Sequence, residues 1–278
     1  MQFSSLAALG PVEDGVEPNL LDEWSTFASR LRGAPRVGVF FDYEGTLVPR
    51  PNGEGPAALA PDPLAALRRL AALRKVTVAV MSGRPVAELR ALAPIEGAWY
   101  SGLHGHEIRN PEGLERRWYT RKEARRISSL ADRIEQELSG IPGVRVERKG
   151  GALAVRHREA APEQTRGIQD AILRLWKGEG KGLRLWPGVG EMEILASENR
   201  VKGTAVRFIL GKIPTRTVPV YFGDDETDLE AFRALRNAGV RVAVGEVASP
   251  HLDYRLPDPQ AVGAALRRLA DLLQKLAR

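Results

Sequence analysis

The chain has 278 residues, 43% of them hydrophobic, with 41 Lys and Arg against 35 Asp and Glu for a formal net charge of +6. It contains no cysteine, which excludes disulfides, thiolate zinc sites and a cysteine nucleophile, leaves carboxylates as the main reactive groups, and fits a reducing cytoplasm. The cations are spread along helical stretches such as 68–75 and 121–126 rather than gathered into a nucleic-acid stripe, and neither a membrane-length apolar run nor a signal peptide is visible, so the expected partner is a small anionic molecule.

Residues 1–35 read as an irregular lead-in containing Gly10, Pro11, Gly15 and Pro18, followed by a short helix over 21–31. The compact apolar run 37–41 is what a parallel strand buried on both faces requires, and it ends at Asp42. Leu64, Leu67, Leu70 and Leu73 keep a helical period over 63–73, and Val76–Met81 is a second buried strand. From about 114 to 195 the pattern changes to a helix (122–138), two strands (144–148 and 152–157), a second helix (162–176) and two more strands (183–186 and 191–195). A third buried strand follows at 218–222, then a helix over Leu229–Leu235 and a fourth strand at Val240–Val244. Strands alternating with helices predict an α/β fold with a parallel sheet whose reactive groups stand at strand C-terminal ends. The two helix-strand-strand units predict a small α+β insertion over one face of that sheet.

Four constellations carry chemistry. Asp42-Tyr43-Glu44-Gly45-Thr46 follows the first strand, where a glycine-containing turn offers backbone amides to a phosphate beside a carboxylate able to attack it. Met81-Ser82-Gly83-Arg84 follows the second strand and offers a hydroxyl and amides to a phosphate oxygen. Lys202-Gly203-Thr204 opens a helix with a lysine able to pair with both phosphate and nucleophile. In Gly223-Asp224-Asp225-Glu226-Thr227-Asp228 four acidic side chains crowd together after a strand; they repel one another unless a hard cation such as magnesium neutralises them. Each alone is ordinary: a strand-ending aspartate, a Ser-Gly turn, a surface lysine, an acidic helix start.

In this order the four motifs resemble those of the haloacid dehalogenase (HAD) superfamily. GLHGHE around His104, Glu147-Arg148-Lys149 followed by LAVRHR, and EMEI before KGTAV narrow the resemblance to trehalose-6-phosphate phosphatases over about residues 36–250. The resemblance implies a Rossmann-like parallel-sheet core over 36–113 and 196–278, with an inserted α+β cap over 114–195. It further implies Asp42 as nucleophile, Glu44 as general acid/base, Ser82 and Lys202 as stabilisers of the transferring phosphoryl group, and Mg2+ held by Asp42, the Glu44 carbonyl and Asp224 with Asp228 in support. Arg84, His104, Glu147, Lys149 and Glu193 fall to substrate binding, the last three through sugar hydroxyls.

One position departs from the family pattern, which has an aspartate where this chain has Glu44. The extra methylene moves the carboxyl by roughly an ångström, so a functioning but slower acid/base is expected. The resemblance implies hydrolysis of trehalose 6-phosphate; other sugar phosphates, such as sucrose phosphate or mannosyl-phosphoglycerate, and a phosphosugar-binding protein of low turnover stand as alternatives. Gly188-Val189-Gly190 and Gly180-Lys181-Gly182 lack the remaining residues of nucleotide-binding loops and read as turns, and Trp99, Trp118, Trp176 and Trp186 read as packing residues.

Overall fold

A computed structural model describes residues 17–50, 57–188, 190–196, 201–235, 239–247 and 252–277. The expected lead-in at Gly10, Pro11 and Gly15, and Val189 of the Gly188-Val189-Gly190 turn, lie outside these residues. Chain order in the first part is α1 (Trp24–Arg32), β1 (Arg36–Asp42), α2 (Pro61–Ala71), β2 (Val76–Met81), α3 (Val86–Leu92), β3 (Trp99–Gly102), β4 (Glu107–Arg109) and β5 (Glu115–Arg117). A second unit follows with α4 (Arg121–Glu137), β6 (Arg145–Arg148), β7 (Ala152–Arg156), α5 (Pro162–Glu179), β8 (Arg184–Gly188) and β9 (Glu191–Leu195). The chain then returns through α6 (Lys202–Leu210), β10 (Thr217–Gly223), α7 (Leu229–Leu235), β11 (Val240–Val244), β12 (Tyr254–Leu256) and α8 (Pro259–Leu276).

The large sheet has the order β12-β11-β10-β1-β2-β3-β4-β5, parallel from β12 to β3 and antiparallel across β4 and β5. Its central strands β1, β2 and β10 are largely apolar because both faces are covered. Val39 and Phe41 pack with α1, α2 and α8, whereas Phe40 between them packs with α6 and α7. Progression turns outward on both sides of β1, toward β2 and toward β10, which opens the crevice at the C-terminal ends of these three strands where α/β sheets bind ligands.

The second sheet, β6-β7-β9-β8, is antiparallel and half-covered. Leu153, Val155, Met192 and Ile194 point to a separate core with α4 and α5. A capping box starts α4, in which Thr120 Oγ1 accepts from Glu123 N at 3.1 Å and Glu123 Oε2 accepts from Thr120 N at 2.6 Å. Since β5 pairs with β4 in the large sheet, residues 115–117 extend the core sheet and the α+β unit begins at α4. No helix among the described residues is long and apolar enough to cross a membrane.

Candidate active site

The loop after β1 doubles back on itself, with Gly45 N donating to Val48 O at 2.6 Å and Val48 N to Tyr43 O at 3.0 Å. Gly45 has φ +90°, and a side chain there would collide with the Asp224 carboxylate. Only glycine lets the turn approach the loop after β10 so closely. Asp42, at the end of β1, is buried at 3% exposure.

Lys202, the first residue of α6, reaches this point from across the sheet. Close packing of α6 on α7 sets its place, since a side chain on Gly203 would strike the Glu230 carbonyl. Its Nζ stands 2.6 Å from Asp42 Oδ1 and 2.8 Å from Asp228 Oδ1. Asp228 accepts at Oδ1 from the Tyr221 hydroxyl at 2.6 Å and at Oδ2 from the backbone amides of Asp224 and Asp225 at 3.1 and 3.3 Å. With both oxygens engaged, Asp228 braces the loop and the lysine.

Burial pushes the Asp42 carboxyl well above the usual range, abetted by Asp228, Asp224 and Asp225 and opposed by Lys202. Burial likewise raises Asp228 to about 6 against the pull of Lys202, and raises Asp224 against the pull of Arg50. Asp225 ends below its ordinary value, because Lys202, the Thr227 hydrogen bond and Arg50 outweigh its burial. The same acids hold Lys202 well above an ordinary lysine in spite of its burial.

Oxygens of Asp42, Asp224 and Asp228 lie within 4.8 Å of one another. An all-carboxylate donor set in which burial strains the charged forms, with glycine rather than a side chain at position 45, fits a hard divalent cation, which would share Asp224 with Arg50 and Asp42 with Lys202.

Ser82 follows β2 and is buried; its Oγ accepts from Arg84 N at 3.1 Å. The Arg84 side chain, expected at the substrate, grips two carboxylates of its own chain, Glu44 at 2.5 Å and Glu88. Glu44 is thus tied to the Ser82 loop. His104 carries φ +53°, a conformation that costs a non-glycine residue of order 1 kcal/mol, and its amide donates to Ser82 O at 3.1 Å.

Across the seam, the face of the second sheet opposite its core carries the polar residues. The register aligns Glu147, Ala154, Glu193 and Trp186 in one row over β6, β7, β9 and β8. Both oxygens of Glu193 are engaged, one by Lys149 Nζ at 2.7 Å and one by His104 Nε2 at 2.6 Å. Burial works to raise the Glu193 carboxyl, yet Lys149 and His104 pull it far below the usual range, and Glu193 in turn holds Lys149 up. Glu147 does not join them and pairs with Arg156 at 3.0 Å. Leu103 packs on Ala152 and Leu195, closing the seam on its apolar side.

The structure therefore brings Asp42, Lys202, Asp224 and Asp228 into one network, Glu44 and Arg84 into a second, and His104, Lys149 and Glu193 into a third. Sequence reading does not find Arg50, whose Nη2 lies 2.5 Å from Asp224 and 3.0 Å from Asp225, because a half-exposed arginine in a loop carries no pattern. Nor does it single out Tyr221, which is indistinguishable from the other apolar residues of β10. Tyr119, whose hydroxyl donates to Glu107 at 2.7 Å beneath the seam, is equally silent.

The trehalose-phosphatase family model matches residues 40–255. Trehalose-phosphate phosphatase of Mycobacterium marinum is 34% identical over 255 residues, covering 87% of this chain and 63% of that protein. Its Mycobacterium tuberculosis counterpart is 32% identical over 252 residues, with the same two coverages. The chain thus spans 63% of the length of the curated relatives it matches. Among solved structures, the C-terminal domain of Candida albicans trehalose-6-phosphate phosphatase superimposes with a TM-score of 0.77 at 18% identity, covering 93% of this chain and 99% of that one.

Proposed function

Because the chain belongs to the trehalose-phosphatase family and has the HAD fold, a Rossmann-like α/β core with an α+β cap, we propose that it is a magnesium-dependent phosphoric monoester hydrolase that cleaves trehalose 6-phosphate. The observation that carries this reading is the buried Lys202 bridging Asp42 and Asp228 beside the C-terminal ends of β1 and β10, with the neighbouring Ser82 loop joined through His104 to Glu193 of the cap.

Asp42 attacks phosphorus, the bond from phosphorus to the sugar oxygen breaks, and Glu44 gives its proton to the departing trehalose. The aspartyl-phosphate is resolved when water attacks phosphorus, Glu44 takes the water proton, and phosphate leaves with the Asp42 carboxylate restored. Lys202 and Ser82 hold the phosphoryl oxygens as charge shifts among them, the largest electrostatic task in such a transfer. Asp42, Asp224 and the Glu44 carbonyl are the groups that would hold magnesium, with Asp228 bracing them. The ion, when bound, neutralises phosphoryl charge. On the cap, Lys149 donates to sugar hydroxyls while Glu147 and Glu193 accept from them, once the sugar displaces His104 from Glu193.

Phosphate release across a panel of trehalose 6-phosphate, sucrose 6-phosphate and mannosyl-phosphoglycerate tests the substrate. The highest kcat/KM belongs to trehalose 6-phosphate. A tenfold or greater preference for another member, about 1.4 kcal/mol in transition-state binding, would replace the assigned sugar.

A further inference from the structure

We propose that Arg84 is a positioning residue that fixes the Glu44 carboxylate for proton transfer, and that Glu88 fixes Arg84 in turn. The inference rests on Glu44 being the acid/base of the reaction proposed above. Among the described residues the Glu44 side chain has one hydrogen-bond partner, Arg84 Nη2, 2.5 Å from Oε1. This leaves Oε2 to carry the transferring proton. The second terminal nitrogen of Arg84 is taken by Glu88, one helical turn along α3. Its backbone amide is held by Ser82 Oγ at 3.1 Å, so the loop that carries the guanidinium is itself anchored at the site.

Three physical points separate this arrangement from a surface ion pair. Arg84 is 5% exposed. A buried guanidinium is tolerated only where carboxylates compensate it, whereas exposed pairs are mobile and weak. The guanidinium is a rigid planar fork, so fixing one terminal nitrogen on Glu88 fixes the direction in which the other meets Glu44. Finally, Glu44 has one more rotatable bond than the aspartate usual at this position. An unrestrained glutamate samples carboxyl positions an ångström or more apart, and errors of that size cost about a hundredfold in rate. Arg84 removes that freedom.

The step it serves is balanced as written above: Glu44 loses a proton to the leaving oxygen and recovers one from the attacking water. Trehalose leaves as a poor alkoxide and needs that proton, whereas p-nitrophenolate leaves without it, so with p-nitrophenyl phosphate only the second half-reaction depends on Glu44.

The test is stopped-flow and steady-state kinetics of Arg84→Met, Arg84→Lys and Glu88→Gln on both substrates, with circular dichroism confirming the fold of each. Arg84→Met lowers kcat on trehalose 6-phosphate about a hundredfold with little change in KM. On p-nitrophenyl phosphate it loses far more from the steady-state rate than from the initial nitrophenol burst. Arg84→Lys, which keeps the charge and loses the fork, recovers part of the loss, and Glu88→Gln shows a smaller loss of the same pattern. A loss confined to KM would make Arg84 a substrate contact and overturn the proposal. So would equal losses from burst and steady state, which a merely structural residue would give. Should the parent release no phosphate from trehalose 6-phosphate, the assigned substrate fails, while the burst and steady-state comparison on p-nitrophenyl phosphate still decides the role of Arg84.

Discussion

Replacing Lys202 by methionine preserves the reach of the side chain and removes its charge. Lys202 is 2% exposed and touches Asp42 at 2.6 Å and Asp228 at 2.8 Å. Deleting one partner of a buried ion network costs about 3–5 kcal/mol when the remaining charges stay ionised. At this site they have an escape, because burial already raises both carboxyls and Lys202 is what pulls them down. In the variant that pull is gone, so both take up protons in the folded state at pH values where an unfolded aspartate, titrating near pH 4, has released them. A carboxyl whose folded-state value lies above its unfolded one contributes stability that is present below about pH 4 and lost as pH rises through the folded value. The variant's stability deficit relative to the parent is therefore small at pH 5 and grows toward pH 8, where about 3 kcal/mol corresponds to roughly 6–12 °C in Tm. Scanning calorimetry of both proteins in chelator at pH 5, 6, 7 and 8 measures it. A deficit that is flat across this range, or shrinks, refutes the assignment of Lys202 as the buried counter-charge. Phosphate release at neutral pH falls by a factor of about a hundred or more in the same variant, the usual cost of removing a group that meets charge developing in the transition state.

Alanine at Lys149 or Glu193 lowers turnover of trehalose 6-phosphate more than that of p-nitrophenyl phosphate, which has no sugar to hold; equal losses on both would place these residues outside the sugar site. Gly45→Ala forces a side chain into φ +90° and against the Asp224 carboxylate, costing of order 1–3 kcal/mol in stability and weakening Mg2+ binding in a calorimetric titration. Undiminished affinity would show that the turn does not shape the cation site. Mg2+ is expected to raise the Tm of the parent, and Asp224→Ala, which removes an anionic oxygen from the cluster, is expected to abolish that rise; persistence of the rise in the variant would move the ion elsewhere.

Asp42, Ser82 and Asp224 were legible because each lies at the end of a buried core strand, and such strands stand out as apolar runs, whereas Lys202 was legible only through its place in the motif series. Val76–Met81 and Val240–Val244 have the same limits in sequence and structure. The cap was legible for a different reason, the switch between helical and alternating periods in Arg121–Glu137 and Glu191–Leu195. Four core strands left no such trace. Those at Trp99–Gly102, Glu107–Arg109, Glu115–Arg117 and Tyr254–Leu256 are three or four residues long, and Glu115–Arg117 is exposed at every position, so pairing along the sheet edge, not side-chain burial, makes it a strand. The helix Pro259–Leu276 does carry a signal, an Asp258 cap before Pro259 and a stripe of Val262, Leu266, Leu269 and Leu273, and it can be read with hindsight.

Contacts between distant segments were legible only where the motif resemblance supplied them, as for Lys202 with Asp42. His104 meets Glu193 across 89 positions and Arg84 meets Glu44 across 40, and neither pairing follows from spacing within an element. Arg84 illustrates the consequence: the motif places it beside Ser82, but only the fold reveals that its terminal nitrogens meet Glu44 and Glu88.

Trapping of the phosphoenzyme tests the account most directly. The protein is mixed with trehalose 6-phosphate and Mg2+, quenched in acid within the first turnover, digested and analysed by mass spectrometry. A phosphoryl group on the peptide containing Asp42, absent from Asp42→Asn and lost on mild alkaline or hydroxylamine treatment as an acyl phosphate must be, is the predicted result. Release of phosphate with no modification of that peptide at any quench time, or undiminished release by Asp42→Asn, would contradict it.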